Sequence, residues 1–512
     1  MAGRFNGSLA LAQDVVVTAP AGSVHAFLAA VIVANGELTP FWSRVLPVGL
    51  DIIDVTCLAP ATVARLSWAP SSLSWSLALH TTNGSVAWTT EIGRSQAPGA
   101  PVSPRVVGRV ASQFVNGVDV LVVAATVAHS PYNGSSGVVG LSSVDGSELW
   151  QAGLVADNAG DARLVVESIV AAPGGVTVYV AGLLSGCGRW VVAGGPSAGP
   201  LVCSNPATAS VVVVAELSAE TGAWISHALA PYSLLRTPSL PHVALAVEPE
   251  SGNVAVGSAI LDDGDGVGAS VLMYPPSLGS TPLWSSVYPR AEAQGVAALF
   301  APLNTWSLLV LTGLAGENEA EALYAPAVIL ELSSASGDVL RHAVLDGTLV
   351  GSRADLVGLP KSHAGAQGVL VAGSYAHGPL TVAGPTSNVT APAPRGGTAP
   401  FAVQIDVDQH APAPPPPAPA IPIAPITRHR TPPALWLVGL GVGIIVVLGA
   451  CVGFGLRRYY HSDAYMLRKV RSGDYASVRY QGVETPTLSG TRPSLAAADG
   501  RGRGGYDSIP SP

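Results

Sequence analysis

Residues 145–182 read DGSELWQAGLVADNAGDARLVVESIVAAPGGVTVYVAG. Asp145-Gly146 is a hairpin turn dipeptide, because tight hairpins need residues that tolerate positive φ. A short strand begins at Leu149-Trp150-Gln151. The run at 165–170 is apolar and rich in β-branched residues, which crowd a helical turn but pack well on a pleated surface. Pro173-Gly174-Gly175 interrupts it, and 176–180 reads as another strand closed by Ala181-Gly182. A further strand at 138–141 precedes the Asp-Gly turn. Short strands punctuated by turns in this way describe an antiparallel sheet.

The same grammar recurs along residues 1–407. Val180-Ala181-Gly182 leads to a Val-rich strand at 211–215 and then to Thr221-Gly222-Ala223-Trp224. Ala2-Gly3-Arg4-Phe5 leads to the strand at 27–33, then to Asn35-Gly36 and Phe41-Trp42; Val371-Ala372-Gly373 leads to the strand at 401–406. Trp150 to Gly182 is 32 residues, Trp224 to Gly257 is 33, Trp284 to Gly313 is 29, and Arg341, standing where Trp is expected, precedes Gly373 by 32. The period is near 60 residues, with a compressed unit between Trp42 and Trp88. Internal repeats of this size belong to solenoids and propellers. Repeated four-stranded antiparallel units point to an all-β chain, a β-propeller that limits exposed edges by radial closure.

The unit from Asp145 to Gly182 resembles the seven-bladed beta-propeller repeat family, and its turn-to-Trp portion is similar to quinoprotein-type propeller repeats. The resemblance spans about 400 residues. It implies four-stranded blades, and it transfers no catalytic residue to this chain. Full units begin near Trp42, Trp88, Trp150, Trp224, Trp284 and Arg341, each opening on its Trp or Arg strand. Residues 1–33 supply half a unit, its third and fourth strands. The expectation is seven blades with half a blade and a leader sequence upstream, or else six blades with an extra hairpin. On the first count the N-terminal blade has two strands and lies beside the blade that ends at 401–406.

Composition agrees. The chain has 512 residues, 58 Gly, 43 Pro, 11 % charged and 48 % hydrophobic residues. That is too apolar for a disordered polyelectrolyte. The formal net charge is −8, divided as −12 before the apolar run at 434–456 and +4 after it. The large acidic part has no basic patch for nucleic acid.

That apolar run is ALWLVGLGVGIIVVLGACVGFGL. It has 23 uncharged residues, and at about 1.5 Å per residue it crosses a hydrocarbon core of roughly 30 Å. Arg457, Arg458, Arg468, Lys469 and Arg471 follow it, so the positive-inside bias places the C-terminus in the cytosol. Four segments are expected: a propeller ectodomain at 1–407, a stalk at 408–433, a transmembrane helix at 434–456 and a disordered cytosolic tail at 457–512. Ten prolines make the stalk a semi-rigid polyproline II spacer. Gly439, Gly443, Gly449 and Gly453 have the spacing that lets membrane helices approach closely.

Candidate modification sites follow from this topology. Asn6, Asn83, Asn133 and Asn388 head glycosylation sequons, all before the span. Cys187 and Cys203 bracket 15 residues and are candidates for a disulfide, which would contribute about 3 kcal/mol; two separate buried thiols are the alternative. Tyr475, Tyr480 and Tyr506 each stand in a Tyr-x-x-apolar pattern that suits an adaptor-binding sorting signal or a phosphorylation site.

Enzymatic patterns are weak. Gly195-Pro196-Ser197-Ala198-Gly199 matches a nucleophile elbow, but it lies in a Gly/Pro loop rather than on a strand-to-helix turn. Asp262-Asp263-Gly264-Asp265-Gly266 lacks the distant bidentate Glu of a calcium loop. The eleven histidines show no zinc spacing. No catalytic, cofactor or metal residue is assigned. The expected protein is a single-pass type I membrane protein of the plasma or endosomal membrane. Its ectodomain binds an extracellular ligand or serves adhesion, and its tail meets a cytosolic adaptor. The rival readings are a membrane-tethered enzyme using the propeller channel and a structural surface protein.

Overall fold

The computed structural model describes most of residues 2–407. Outside the described residues lie 95–107, 127–135, 157–162, 204–208, 236–242, 289–294, 313–326, 350–354, 359–366 and 392–397, several shorter stretches, and everything from 408 onward. The predicted stalk, span and tail therefore fall outside them, with Gly439, Gly443, Gly449, Gly453, Tyr475, Tyr480 and Tyr506. Among the described residues no helix is long and apolar enough to cross a membrane.

The chain is all-β. Sheet 1 holds β1 (Ala2–Asn6), β4 (Val24–Ala34) and β5 (Glu37–Val45), with β2 (Ser8–Ala12) and β3 (Val15–Thr18) forming a separate hairpin between its first two strands. Sheet 2 is β6 (Asp51–Cys57), β7 (Val63–Ala69), β8 (Ser74–His80) and β9 (Val86–Arg94). Sheet 3 is β10 (Gly108–Val115), β11 (Val118–Thr126), β12 (Ser136–Ser142) and β13 (Glu148–Ala156). Sheet 4 is β14 (Arg163–Ala171), β15 (Thr177–Ser185), β18 (Ala209–Ser218) and β19 (Trp224–Leu235); between its second and third strands come β16 (Cys187–Val192) and β17 (Ala198–Cys203). Sheet 5 is β20 (Val243–Val247), β21 (Val254–Asp262), β22 (Gly266–Tyr274) and β23 (Trp284–Tyr288).

Sheet 6 is β24 (Val296–Phe300), β25 (Ser307–Thr312), β26 (Ala327–Ser333) and β27 (Val339–Leu349). The last strands are β28 (Asp355–Gly358), the long β29 (Gln367–Ala383), β30 (Asn388–Ala391) and β31 (Thr398–Val407). All strand pairings among the described residues are antiparallel, and most join consecutive strands. The first strands adjoin in order: β1 lies beside β6, then β6 beside β10, β14, β20, β24 and β28 in succession. This sheet-after-sheet stacking is propeller-like.

The hydrophobic clusters, apart from one between the β2–β3 hairpin and sheet 1, are interfaces between consecutive sheets. Val178, Val180 and Leu184 of β15 pack towards sheet 3, whereas Tyr179 and Ala181 pack towards sheet 5. A strand buried on both faces must be apolar at every position, which is why 176–182 shows no polar alternation. The closing Gly of that motif has a steric cause. A Cβ at Gly182 would fall on the Val165 carbonyl, and one at Gly257 would sit 2.5 Å from Val296 of the next sheet.

Two expectations change. The Trp strands end their sheets instead of opening them. Trp150 lies on β13, the fourth strand, paired across the Asp145-Gly146 hairpin with β12. The repeat was read one strand out of phase, because a linear period has no marked origin. In consequence the N-terminal sheet has three strands, not two: β5, with Trp42, completes the pair β1–β4.

The phase matters because Trp binds the following sheet. Trp88, Trp150 and Trp284 donate their indole N–H groups to the carbonyls of Ser143, Ala219 and Ser334, at 3.0, 2.8 and 2.7 Å. Each acceptor lies in the third-to-fourth-strand turn of the next sheet. The amide N–H of the same residue bonds back to the start of that sheet's second strand or the turn before it, at Asp119, Val176 and Trp306. The turn glycine then lies flat on the ring. At Gly222 φ is +69° and a Cβ would stand 2.4 Å from Trp150 Cε3. Gly222→Ala should therefore cost about 2–4 kcal/mol from clash plus left-handed strain, whereas Gly174→Ala should cost only about 1 kcal/mol. Gly174 also has positive φ, but nothing lies within 4 Å of its Cβ position. Urea unfolding of the two variants checks the difference.

Candidate functional site

In an antiparallel meander the first-to-second and third-to-fourth turns share one end. The second-to-third and sheet-to-sheet connections leave from the other. The first end is closed by tight turns such as Asn116-Gly117, where φ is positive at both residues. The other end carries the long connections, 95–107, 127–135 and 313–326 among them. It also launches three hairpins, one between β1 and β4 of sheet 1, one between the second and third strands of sheet 4, and one between the first half of β29 and β31. The hairpin β16–β17 runs back along sheet 3, β16 pairing with β13, so that sheet 3 has six strands. The second half of β29 likewise pairs with β27 and with β30, joining sheet 6 to the last strands. The hairpin β2–β3 packs Val17 against Phe27 and Ala29 of sheet 1. Hairpins placed this way cover strand edges that would otherwise invite pairing with other chains.

The hairpin β16–β17 is held at both ends. Cys187 is disulfide-bonded, and the register sets Cys203 directly opposite it. Cys57 is a free, exposed thiol. Trp190 of β16 is fully buried and donates Nε1–H to the Gly222 carbonyl at 3.1 Å, so Trp150 and Trp190 hold the same turn. Its ring centre lies 5.0 Å from that of Trp224. The indole nitrogen of Trp224 has no hydrogen-bond partner among the described residues. Sheet 5 has a longer turn there, with Leu278 at positive φ in place of the glycine. The hairpin was not foreseen; its signal was the uneven spacing from Gly182 to the next Val-rich strand.

Polar groups inside the sheets mostly tie neighbours together. The Asp54 carboxylate accepts the amide N–H groups of Val55 and Val110, each at 3.0 Å, linking β6 to β10. Ser136 Oγ accepts the N–H of Val166 at 2.9 Å, and Gln113 donates to the Gly175 carbonyl. The Tyr179 hydroxyl donates to the Pro276 carbonyl at 2.9 Å. Burial, with the nearby Glu216 charge, pushes its pKa up to about 12. Arg341, at the position where other sheets carry Trp, pairs instead with Glu331 across the strands at 2.8 Å. Among the described residues no three His, Cys, Asp or Glu side chains converge to hold a metal ion.

The sequon asparagines are dispersed. Asn83 sits exposed in a tight turn, where its Oδ1 accepts from Thr81 Oγ1 at 2.7 Å and the Ser85 N–H at 2.9 Å. Asn6 ends β1, Asn388 opens β30, and Asn133 lies outside the described residues. Ser197 of the nucleophile-elbow pattern also lies outside them. Asp262 and Gly266 pair as the ends of the β21–β22 hairpin.

No known protein family matches the chain, and no curated protein does. Among solved structures it is similar to a protein of unknown function from Bacteroides caccae, at 13 % identity and TM-score 0.32, covering 62 % of this chain and 92 % of that one. It is similar to a subtype N10 neuraminidase-like protein of A/little yellow-shouldered bat/Guatemala/060/2010, at 11 % identity and TM-score 0.32, over 67 % and 89 % of the two chains. The extracellular domains 1–2 of Drosophila Semaphorin 1a give 9 % identity and TM-score 0.34, over 76 % and 86 %. Likeness at this level assigns no activity; the sheet arrangement is read from the chain's own strands.

Two measurements check the site. Thiol labelling of the folded, unreduced protein should modify Cys57 and leave Cys187 unmodified until a reductant is added. Tyr179, whose folded pKa stands above the unfolded value of 10, stabilises the fold fully below pH 10 and loses that contribution as pH rises through about 12. Tyr179→Phe should therefore flatten the fall of Tm with pH above 10, as measured by alkaline thermal scans.

Proposed function

We propose that residues 1–407 are the ligand-binding ectodomain of a single-pass type I membrane protein, built as a seven-bladed β-propeller. The seventh blade is β28, the first half of β29, and β31. The observation that carries the reading is the asymmetry between the two ends of the sheets. One end is closed by tight turns locked to the neighbouring sheet, and the other bears the long connections. Variable connections on a rigid scaffold are where binding surfaces form. Asp54, Gln113, Ser136 and Tyr179 are engaged in joining sheets, which favours binding over catalysis.

Several features support the topology. The apolar run at 434–456 is long enough to span, and basic residues follow it. The disulfide at Cys187 suits an oxidising compartment. On this reading Asn83, exposed in its turn, receives a glycan, and the tail tyrosines Tyr475, Tyr480 and Tyr506 serve sorting by a cytosolic adaptor.

Tags at the two ends test the proposal. In intact cells an N-terminal tag should be digested by external protease, or in an endosomal location be protected within sealed vesicles, while the C-terminal tag faces the cytosol. Digestion of the C-terminal tag from outside would overturn the topology. Shortening the connections at 127–135 and 313–326 should abolish binding to the ligand-bearing cell surface without lowering Tm. Loss of Tm without loss of binding would overturn the assignment of that end.

A further inference from the structure

Sheet 2 departs from the other sheets at two buried positions, and the repeat itself provides the comparison. In sheets 3, 4 and 6, Leu141, Leu217 and Leu332 lead into the third-to-fourth-strand turn, and all are buried. They pair with Leu121, Val178 and Leu308. In sheet 2 the corresponding residue is His80, paired with Val63. Two residues further along the second strand, the three sheets place buried Val123, Val180 and Val310. The residue of sheet 2 in that register is Arg65. A sheet of this kind can be built with valine and leucine at both positions, so neither charge is a requirement of the fold.

Both side chains are enclosed between sheets 1 and 2. Arg65 is 6 % exposed, His80 is 1 % exposed, and Ser67, next on the same face of β7, is fully buried. His80 Nδ1 lies 3.2 Å from the Gly84 carbonyl and donates to it, which directs Nε2 away from that turn. Trp42 stacks on the imidazole with ring centres 5.8 Å apart. Arg65 Nε, Ser67 Oγ and His80 Nε2 have no hydrogen-bond partner among the described residues. Among the described residues the charges acting on His80 are Arg65 and Arg44, both positive, and burial lowers the Arg65 pKa. A guanidinium withdrawn from water without a carboxylate is costly, and an anion would relieve that cost.

We propose that Arg65, His80 and Ser67 form a binding site for a small oxyanion between sheets 1 and 2. The guanidinium fork supplies two parallel N–H donors, the geometry that suits sulfate, phosphate or carboxylate. The Ser67 hydroxyl is a further donor, and protonated His80 adds another through Nε2. Enclosure selects a free ion over the end of a long polymer. The site is distinct from the loop-bearing end, because His80 borders the tight turn at 81–85.

Titration of the full chain with sodium sulfate, sodium phosphate or sodium acetate, against sodium chloride at equal ionic strength, tests the proposal. At least one oxyanion should raise Tm saturably, and Trp fluorescence should follow the same curve through Trp42. The double variant Arg65→Val/His80→Leu copies Val123 and Leu141. It should fold, match or exceed the wild-type Tm in chloride, and lose the oxyanion response. Arg65→Lys keeps the charge without the fork and should weaken the affinity at least about tenfold. The Glu331 partner Arg341, changed to Gln, should leave the response intact. A wild-type protein that responds to no oxyanion beyond chloride would overturn the proposal. So would a double variant that responds as the wild type does, or, should that variant fail to fold, an Arg65→Lys protein with unchanged affinity.

Discussion

An indole lying on a glycine of the next sheet is the contact on which the structure depends. Trp42, Trp88, Trp150 and Trp284 lie against Gly84, Gly146, Gly222 and Gly337, all of which have positive φ. The glycine serves twice, since the left-handed turn and the flat ring both exclude a Cβ. For the last three, the indole N–H also captures the carbonyl of a turn residue whose amide is bonded to the start of the second strand of its sheet or the turn before it. Three peptide segments that are distant in sequence thus meet at one ring. A sheet cannot slide past its neighbour without losing the stacking, the hydrogen bond and the burial together. Trp150 has the tightest version, with Gly140 of its own sheet beneath it and Gly222 of the next sheet above.

This constraint distributes the hydrophobic interior. Among the described residues there is no single core shared by all sheets; the large clusters each lie between two neighbouring sheets, and the middle strands of sheets 4 and 5 are apolar on both faces. Stability is then a sum of nearest-neighbour interfaces, as in other repeat architectures. At two positions the Trp contact is altered. Trp224 packs against the cluster between sheets 3 and 4, its ring tilted against that of Trp190 from the inserted hairpin. At position 341 the ring is replaced by an ion pair with Glu331. The interlocked turns leave little freedom at one end of the sheets, so variation in length collects at the other. The buried positions of sheet 2 are a second kind of departure, because Arg65 and His80 replace aliphatic side chains while Arg65 Nε and His80 Nε2 have no hydrogen-bond partner among the described residues.

Much was legible in the residues themselves. Strands at 138–141, 165–170 and 176–180 follow from β-branched composition and Gly/Pro punctuation, and the structure places β12, β14 and β15 there. The recurring Trp and the Asp-Gly or Thr-Gly turns marked the repeat. What stayed hidden was the phase. The intervals between Trp and Gly are the same whether Trp opens a sheet or closes it, and only the hydrogen-bonded partner of β13 distinguishes the two. The three hairpins were hidden for a related reason, since an insertion shows in the sequence only as uneven spacing. Arg65 and His80 were passed over because a single basic residue in a strand carries no motif.

Local chemistry by itself determined the all-β class, the repeat, the turn dipeptides and the apolar run at 434–456. These depend on steric preference and on hydropathy over a few consecutive residues. Tertiary structure alone decided which strand ends each sheet, which edges the hairpins cover, and which turn each indole holds. It also decided that Arg65, His80 and Ser67 share one enclosed face. Such facts depend on pairing register and on contact between sheets. A register shift of one residue exchanges the buried faces of a strand without changing its composition.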